Sequence, residues 1–322
     1  MPATVTHAYF ANDVYDILNN DIKNGLDLDR VKMYGQSMDS LRFYNLFNFK
    51  RRKYEQLGHI FHTEKTKCYF INLINYIKNN NLGNDSDTMS YLVGLICHYV
   101  LDSNVHPYVF YKTGKFDKKM KSTYKYNNIH LFMETFIDND MIKRREKINP
   151  YKFDICKFCF DTSLFSENLT KAIDYSFLKT YNVSNMGYVY YKSLKDMELA
   201  LKLFRQDKYG IKKFFYKLID TITPKSVFRF EAVSYHYPLI DKHNFLNTNH
   251  NEWHNPVKYT IVSTSSFIDL YLLSIKEAKN IIVKTIEYIN GNNIILDDLF
   301  TNKSYVTGLD CDINKELKYF EF

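Results

Sequence analysis

Over long segments of this chain apolar residues recur at three- and four-residue intervals, the spacing of one helix face rather than of a strand. It predicts a first helix over residues 7–24, with Phe10, Val14, Ile17 and Leu18 inward and Asn24-Gly25 as a stop. A second covers 62–79, with Tyr69, Phe70, Leu73, Ile74 and Ile77 inward, before a polar loop rich in Asn and Asp. A third covers 88–105. Pro107 disfavours helical geometry at His106, which places that histidine at or just past the helix end. The lysine-rich stretch 112–128 reads as a solvated connection, and Asn128 as the cap of a helix to about residue 140. Further helices are expected over 185–204, 211–222 and 265–290, the last opened by a Ser266/Asp269 capping pair. Residues 227–237 read as a strand or an extended loop. No linker rich in Gly, Ser or Pro and no repeat divides the chain. The pattern predicts an all-α fold, a single large helical domain over residues 1–322.

Polar residues interrupt this pattern at informative places. Between Leu95 and Tyr108 the chain reads L-I-C-H-Y-V-L-D-S-N-V-H-P-Y. His98, Asp102 and His106 recur every four residues along a stripe otherwise made of residues such as Leu95 and Val105, so they point inward. His130 and Glu134 repeat the spacing in I-H-L-F-M-E, His62 opens the second predicted helix, and His7 heads the first. Imidazole nitrogen and carboxylate oxygen are the donors that zinc prefers. Seven candidates on four predicted helices exceed one structural site and suffice for two or three ions, an arrangement suited to phosphoryl chemistry. A metal-stapled bundle without catalysis is the alternative, and a chain with this much core gains little from such staples. His59 competes with His62. His236, His243, His250 and His254 lie in or beside a polar stretch and read as non-ligands, with Trp253 and Pro256 fastening that stretch to the core.

Composition narrows this only slightly. A 45% hydrophobic and 25% charged chain has enough apolar material for a sizeable core. The 28 Tyr exceed what an interior can hide completely, so many are expected half-buried. A cationic excess of seven is mild and reads as solubility. No run approaches eighteen apolar residues, and the first residues lack a basic segment followed by an apolar one, so a cytoplasmic protein without a transmembrane helix is expected. Cys68, Cys97 and Cys311 are scattered and read as buried thiols. Cys156 and Cys159 form one C-x-x-C with no second pair, which reads as two core thiols.

Together, T-H-x-x-F at His7, H-x3-T at His62, H-Y-x-L-D-x3-H-P-Y from His98 and H-x3-E at His130 resemble the zinc-dependent phospholipase C family. That family belongs to the all-helical phospholipase C and P1-type nuclease superfamily. E-W-H-N-P around Trp253 and V-T-G-L-D near the C-terminus are similar to its bacterial members and extend the resemblance over most of the chain. The resemblance implies one zinc on His62, His98 and Asp102, a second on His106, His130 and Glu134, and a third on His7, with Asp102 shared. It implies that Asp39, in G-Q-S-M-D-S-L, orients or deprotonates the attacking water. Phe43 and Tyr44 lie close by in sequence, as cleft lining or as packing. In secreted relatives the histidine after the H-x3-D pair lies two residues further on with proline before it, whereas here His106 precedes Pro107. Those relatives also use the mature N-terminal amine on the third zinc, a place the Pro2 nitrogen would take after loss of Met1.

The expected activity is hydrolysis of a phosphoric ester, a phosphodiesterase of phospholipase C type with phospholipid the substrate suggested by the resemblance. Alternatives are a nuclease or nucleotide phosphoesterase of the same superfamily, with nucleic acid as substrate only, and a non-catalytic metal-binding module. An HD-type phosphohydrolase would need an adjacent His-Asp pair, and a di-iron bundle paired E-x-x-H motifs; the chain has neither.

Overall fold

Caps and breakers divide the chain into helices. The computed structural model describes residues 4–46, 52–117, 119–224, 229–236, 241, 243–313 and 316–321. Its helices are α1 (Thr4–Asp16), α2 (Asn20–Lys23), α3 (Leu28–Tyr34), α4 (Arg52–Thr63), α5 (Thr66–Asn79), α6 (Ser86–Thr113) and α7 (Ile129–Glu146), followed by α8 (Ile155–Cys159), α9 (Glu167–Tyr181), α10 (Met186–Phe204), α11 (Ile211–Ile222), α12 (Phe267–Ile289) and α13 (Leu296–Leu299). Among the described residues the only sheet is an antiparallel ribbon, β1 (Trp253–His254) with β2 (Val262–Ser263), Trp253 facing Ser263. The fold is all-α.

Helix α6 is the axis. The Asp85 side chain accepts from the Thr88 amide at 2.9 Å and caps its start, and Gly114 ends it at φ +65. Most of its residues are buried, with α1, α3, α7, α9 and α12 packed around it. Gly94 permits the closest approach, since a Cβ there would lie 2.7 Å from Tyr34 Cβ and from the Val31 carbonyl of α3. Buried side chains form one cluster extending from Val5 to Tyr305. The Ser266 and Asp269 capping box opens α12 as expected.

Several boundaries differ from the sequence expectation. The first predicted helix is two, α1 and α2, separated at 17–19. His62 does not open a helix but sits in the last turn of α4, because Lys65 at φ +53 breaks the run before α5. Pro107 does not end α6. Proline deprives the Ser103 carbonyl of its helical donor, and Gly308 packs against that oxygen, where a Cβ would stand 2.5 Å away. The helix nonetheless continues to Thr113, and His106 stays on the stripe. Lys112 is buried in α6 with its ammonium on Glu321 at 2.6 Å, so the solvated connection begins only beyond Gly114. Asn128 precedes α7 in the left-handed region and makes no side-chain cap. Phe230–Val233 is a 3-10 turn, while Val227, Phe228 and Tyr237 of the expected strand lie outside the described residues. Cys97, Cys159 and Cys311 are buried free thiols, but Cys68 is exposed and Cys156 half-buried.

Candidate metal centre

The candidate side chains are placed by tertiary contacts and by helical spacing. The start of α1 is pinned to α7. The Thr6 amide and hydroxyl donate to Asp138 at 2.8 and 2.7 Å, which sets His7 over α6. Asp39 lies on a buried 3-10 turn, Ser37–Phe43, that opens with Ser37 at φ +47 and is tied to α10 through Ser40 and Ser193. His62 ends α4. His98, Asp102 and His106 occupy successive turns of α6, and His130 and Glu134 successive turns of α7.

These residues converge. Donor atoms of His7, Asp39, His98 and Asp102 lie within 4.8 Å of one another, as do those of His106, His130 and Glu134. His62 adjoins the first group, its Nε2 3.2 Å from His98 Nε2 and 3.4 Å from Asp39 Oδ1. Asp102 Oδ2 is 3.2 Å from His98 Nε2, Asp102 Oδ1 is 3.3 Å from His7 Nε2, and Asp102 Oδ2 reaches within 3.5 Å of His106 Nδ1. The two groups are therefore neighbours along α6.

The far sides of the rings decide what the near sides can do. His62 Nδ1 donates to the Gly58 carbonyl at 2.5 Å, His98 Nδ1 to Gly35 at 2.8 Å and His106 Nδ1 to Tyr305 at 2.8 Å. His130 Nδ1 faces Thr113 Oγ1 at 3.1 Å, and that hydroxyl gives its own proton to the Val109 carbonyl. A carbonyl oxygen only accepts, so the ring proton sits on Nδ1 and the neutral ring turns an Nε2 lone pair inward. Second-sphere bonds of this kind set the tautomer and direction of metal-binding histidines. Two such lone pairs, His62 and His98, then face each other beside two carboxylates. Both Asp39 oxygens, both Asp102 oxygens, both His7 nitrogens and His106 Nε2 are buried without a hydrogen-bond partner. Buried carboxylate oxygens and imidazole nitrogens crowded together without hydrogen-bond partners are unfavourable unless positive charge, a proton or a metal ion, lies among them. The imidazole and carboxylate set, without thiolate, fits zinc.

Titration behaviour follows from the same crowding. Burial lowers His62 to about 4 against the pull of Asp39. Burial and the neighbouring His98 also lower His7. His98 is raised, because Asp102 and Asp39 outweigh its burial. Asp102 is held well below the carboxylate range, since His98 and His7 overcome its burial.

All seven candidate ligands and Asp39 thus come into one region. His59 is exposed, whereas His62 reaches the cluster. Phe43 and Tyr44 are partly buried against the core, Tyr44 stacking edge-on with Tyr54. Trp253 fastens its loop as expected, with Nε1 donating to the Ser265 carbonyl and its ring against Tyr108. His254 stacks on Tyr259 and His236 on Tyr151, away from the cluster. Pro2 lies outside the described residues. Sequence reasoning did not find Thr113, the Gly35 and Gly58 carbonyls, or the Tyr305 strap. Tyr305 donates its amide to His62 O at 2.9 Å and offers its carbonyl to His106. The V-T-G-L-D segment beside Tyr305 was the available signal.

No described helix is long and apolar enough to cross a membrane. Neither a curated protein nor a solved structure matches the chain. A family model described as zinc dependent phospholipase C matches residues 6–182, more than half of the 322 and all eight residues of the candidate centre. The chain belongs to the zinc-dependent phospholipase C family.

Proposed function

We propose that this protein hydrolyses phosphoric esters of phospholipase C type at a centre of two or three zinc ions held by His7, His62, His98, Asp102, His106, His130 and Glu134. The observation that carries the reading is the set of inward lone pairs whose outer nitrogens are committed to Gly58, Gly35, Tyr305 and Thr113. Zinc, when bound, supplies Lewis acidity, which neutralises phosphoryl charge and acidifies water. The chain's own work is positional. Carbonyls hold the Nδ1 protons of His62, His98 and His106, and the Thr113 hydroxyl that of His130, so that each of these rings turns Nε2 inward. Buried α6 excludes bulk water from one wall. Asp39, whose oxygens are buried with no hydrogen-bond partner, accepts the proton of the attacking water on its carboxylate and is also close enough to the first group to serve as a ligand. No serine or cysteine nucleophile is required.

The test is turnover of a panel of phosphodiesters and phosphomonoesters by zinc-replete and chelator-treated protein. The expected result is activity lost on chelation and restored by zinc. Asp39→Asn is expected to lower turnover roughly 10²–10⁴-fold, the range for a general base. Unchanged activity in that variant rejects the assignment of Asp39.

A further inference from the structure

Helix α11 sits the wrong way round for a packing helix. Phe214, Phe215, Leu218, Ile211 and Ile222 fall on one face at helical spacing, and that face points to solvent, with Phe214 67% and Ile222 77% exposed. The inward face is the polar one, and it is tethered. The Lys212 and Lys213 amides donate to the Asp207 carboxylate at 3.2 and 2.9 Å. Lys212 Nζ reaches the Gln206 carbonyl at 2.7 Å and Lys213 Nζ the His236 carbonyl at 3.0 Å. The Tyr216 hydroxyl donates to Phe204 O at 2.7 Å. Asp220 accepts the Phe230 and Glu231 amides at 2.9 and 2.8 Å. These bonds hold the helix down by its hydrophilic side and present its hydrophobic side.

Charge indicates what covers that side. Lys202, Lys208 and Lys217 around it are exposed, while of the nearby acids Asp207 and Asp220 are turned inward and occupied, and Glu231 lines a cavity together with Lys217 and Arg229. An apolar, aromatic face rimmed by lysine is the composition of a helix lying in an anionic membrane interface. We propose that α11 docks this protein on an anionic lipid surface, its apolar face among the acyl chains and the rim lysines at the headgroups. Through Asp220 the helix is joined to the Phe230–Val233 turn, and Ala232 O of that turn accepts from Thr135 of α7 at 2.7 Å, so docking is mechanically linked to the helix bearing His130 and Glu134. Docking stands on α11 alone; its service to catalysis rests on the function proposed above.

The experiment is co-sedimentation of the full chain with vesicles of phosphatidylcholine alone or mixed with phosphatidylglycerol, with sedimentation velocity of the protein without lipid alongside. The expected result is binding to the anionic vesicles, weaker on phosphatidylcholine and weakened by salt. Phe214→Glu combined with Leu218→Glu is expected to cut partitioning at least tenfold, with metal content and hydrolysis of a water-soluble ester unchanged. Lys208→Glu with Lys217→Glu is expected to abolish the preference for anionic vesicles. Three results overturn docking: no binding by the native chain, binding indifferent to the Phe214 and Leu218 changes, or self-association abolished by those changes in a chain that ignores vesicles. A native chain that binds vesicles but hydrolyses no ester upholds docking and rejects the proposed function, so the two failures are distinguishable.

Discussion

Helix α6 carries His98, Asp102 and His106 into the interior, whereas α11 carries Phe214, Phe215 and Leu218 out to solvent. Both run against the usual partition of polar and apolar groups, in opposite senses. In each, surrounding bonds enforce the exception. Carbonyls of Gly35 and Tyr305 aim the α6 histidines, and Asp207, Phe204 and His236 hold α11 by its polar side. Buried acceptors without donors and exposed apolar surface both cost free energy in isolation. Where a fold maintains such a cost with dedicated contacts, the complementary partner lies outside the chain: on our proposals, a cation for α6 and a lipid surface for α11.

The comparison is open to attack from both sides. Asp102→Ala removes the carboxylate that approaches His7, His98 and His106. It is expected to release zinc and lower turnover more than about 100-fold, beyond the usual effect of second-sphere changes, as read by elemental analysis and initial rates. Retention of full metal would make the α6 stripe a structural feature only. Thr113→Val keeps the shape but takes away the acceptor for His130 Nδ1. Zinc affinity, measured by competition with a chromogenic chelator, is expected to fall roughly 10-fold. The smallest effect belongs to α11. Phe214→Glu is expected to change urea-unfolding stability by less than about 0.5 kcal/mol, as for surface positions without special contacts. A loss of several kcal/mol would show that this face is part of the core.

How much of this was legible depended on the kind of group involved. His98, Asp102 and His106, and His130 with Glu134, announce themselves by four-residue spacing, because helical periodicity converts sequence distance into direction. Asp39 has no local signal. Its buried carboxylate is brought in by tertiary packing, and only resemblance pointed to it. The Gly35, Gly58 and Tyr305 carbonyls have no side-chain signature at all, so the tautomer-setting bonds could not be read. Pro107 misled, since its local preference against helix is overridden in α6, which runs on to Thr113 with α1, α3, α7, α9 and α12 packed around it. Lys65 misled in the other direction, as a non-glycine residue adopting φ +53 breaks a pattern that periodicity carries straight through. The amphipathic character of 211–222 was visible, but periodicity shows that a helix has two faces and not which one faces the protein.

The central claim is tested most directly by counting zinc in the full chain purified under zinc-replete conditions, by elemental analysis against protein concentration. The account predicts two or three ions per chain. Fewer than two would contradict it.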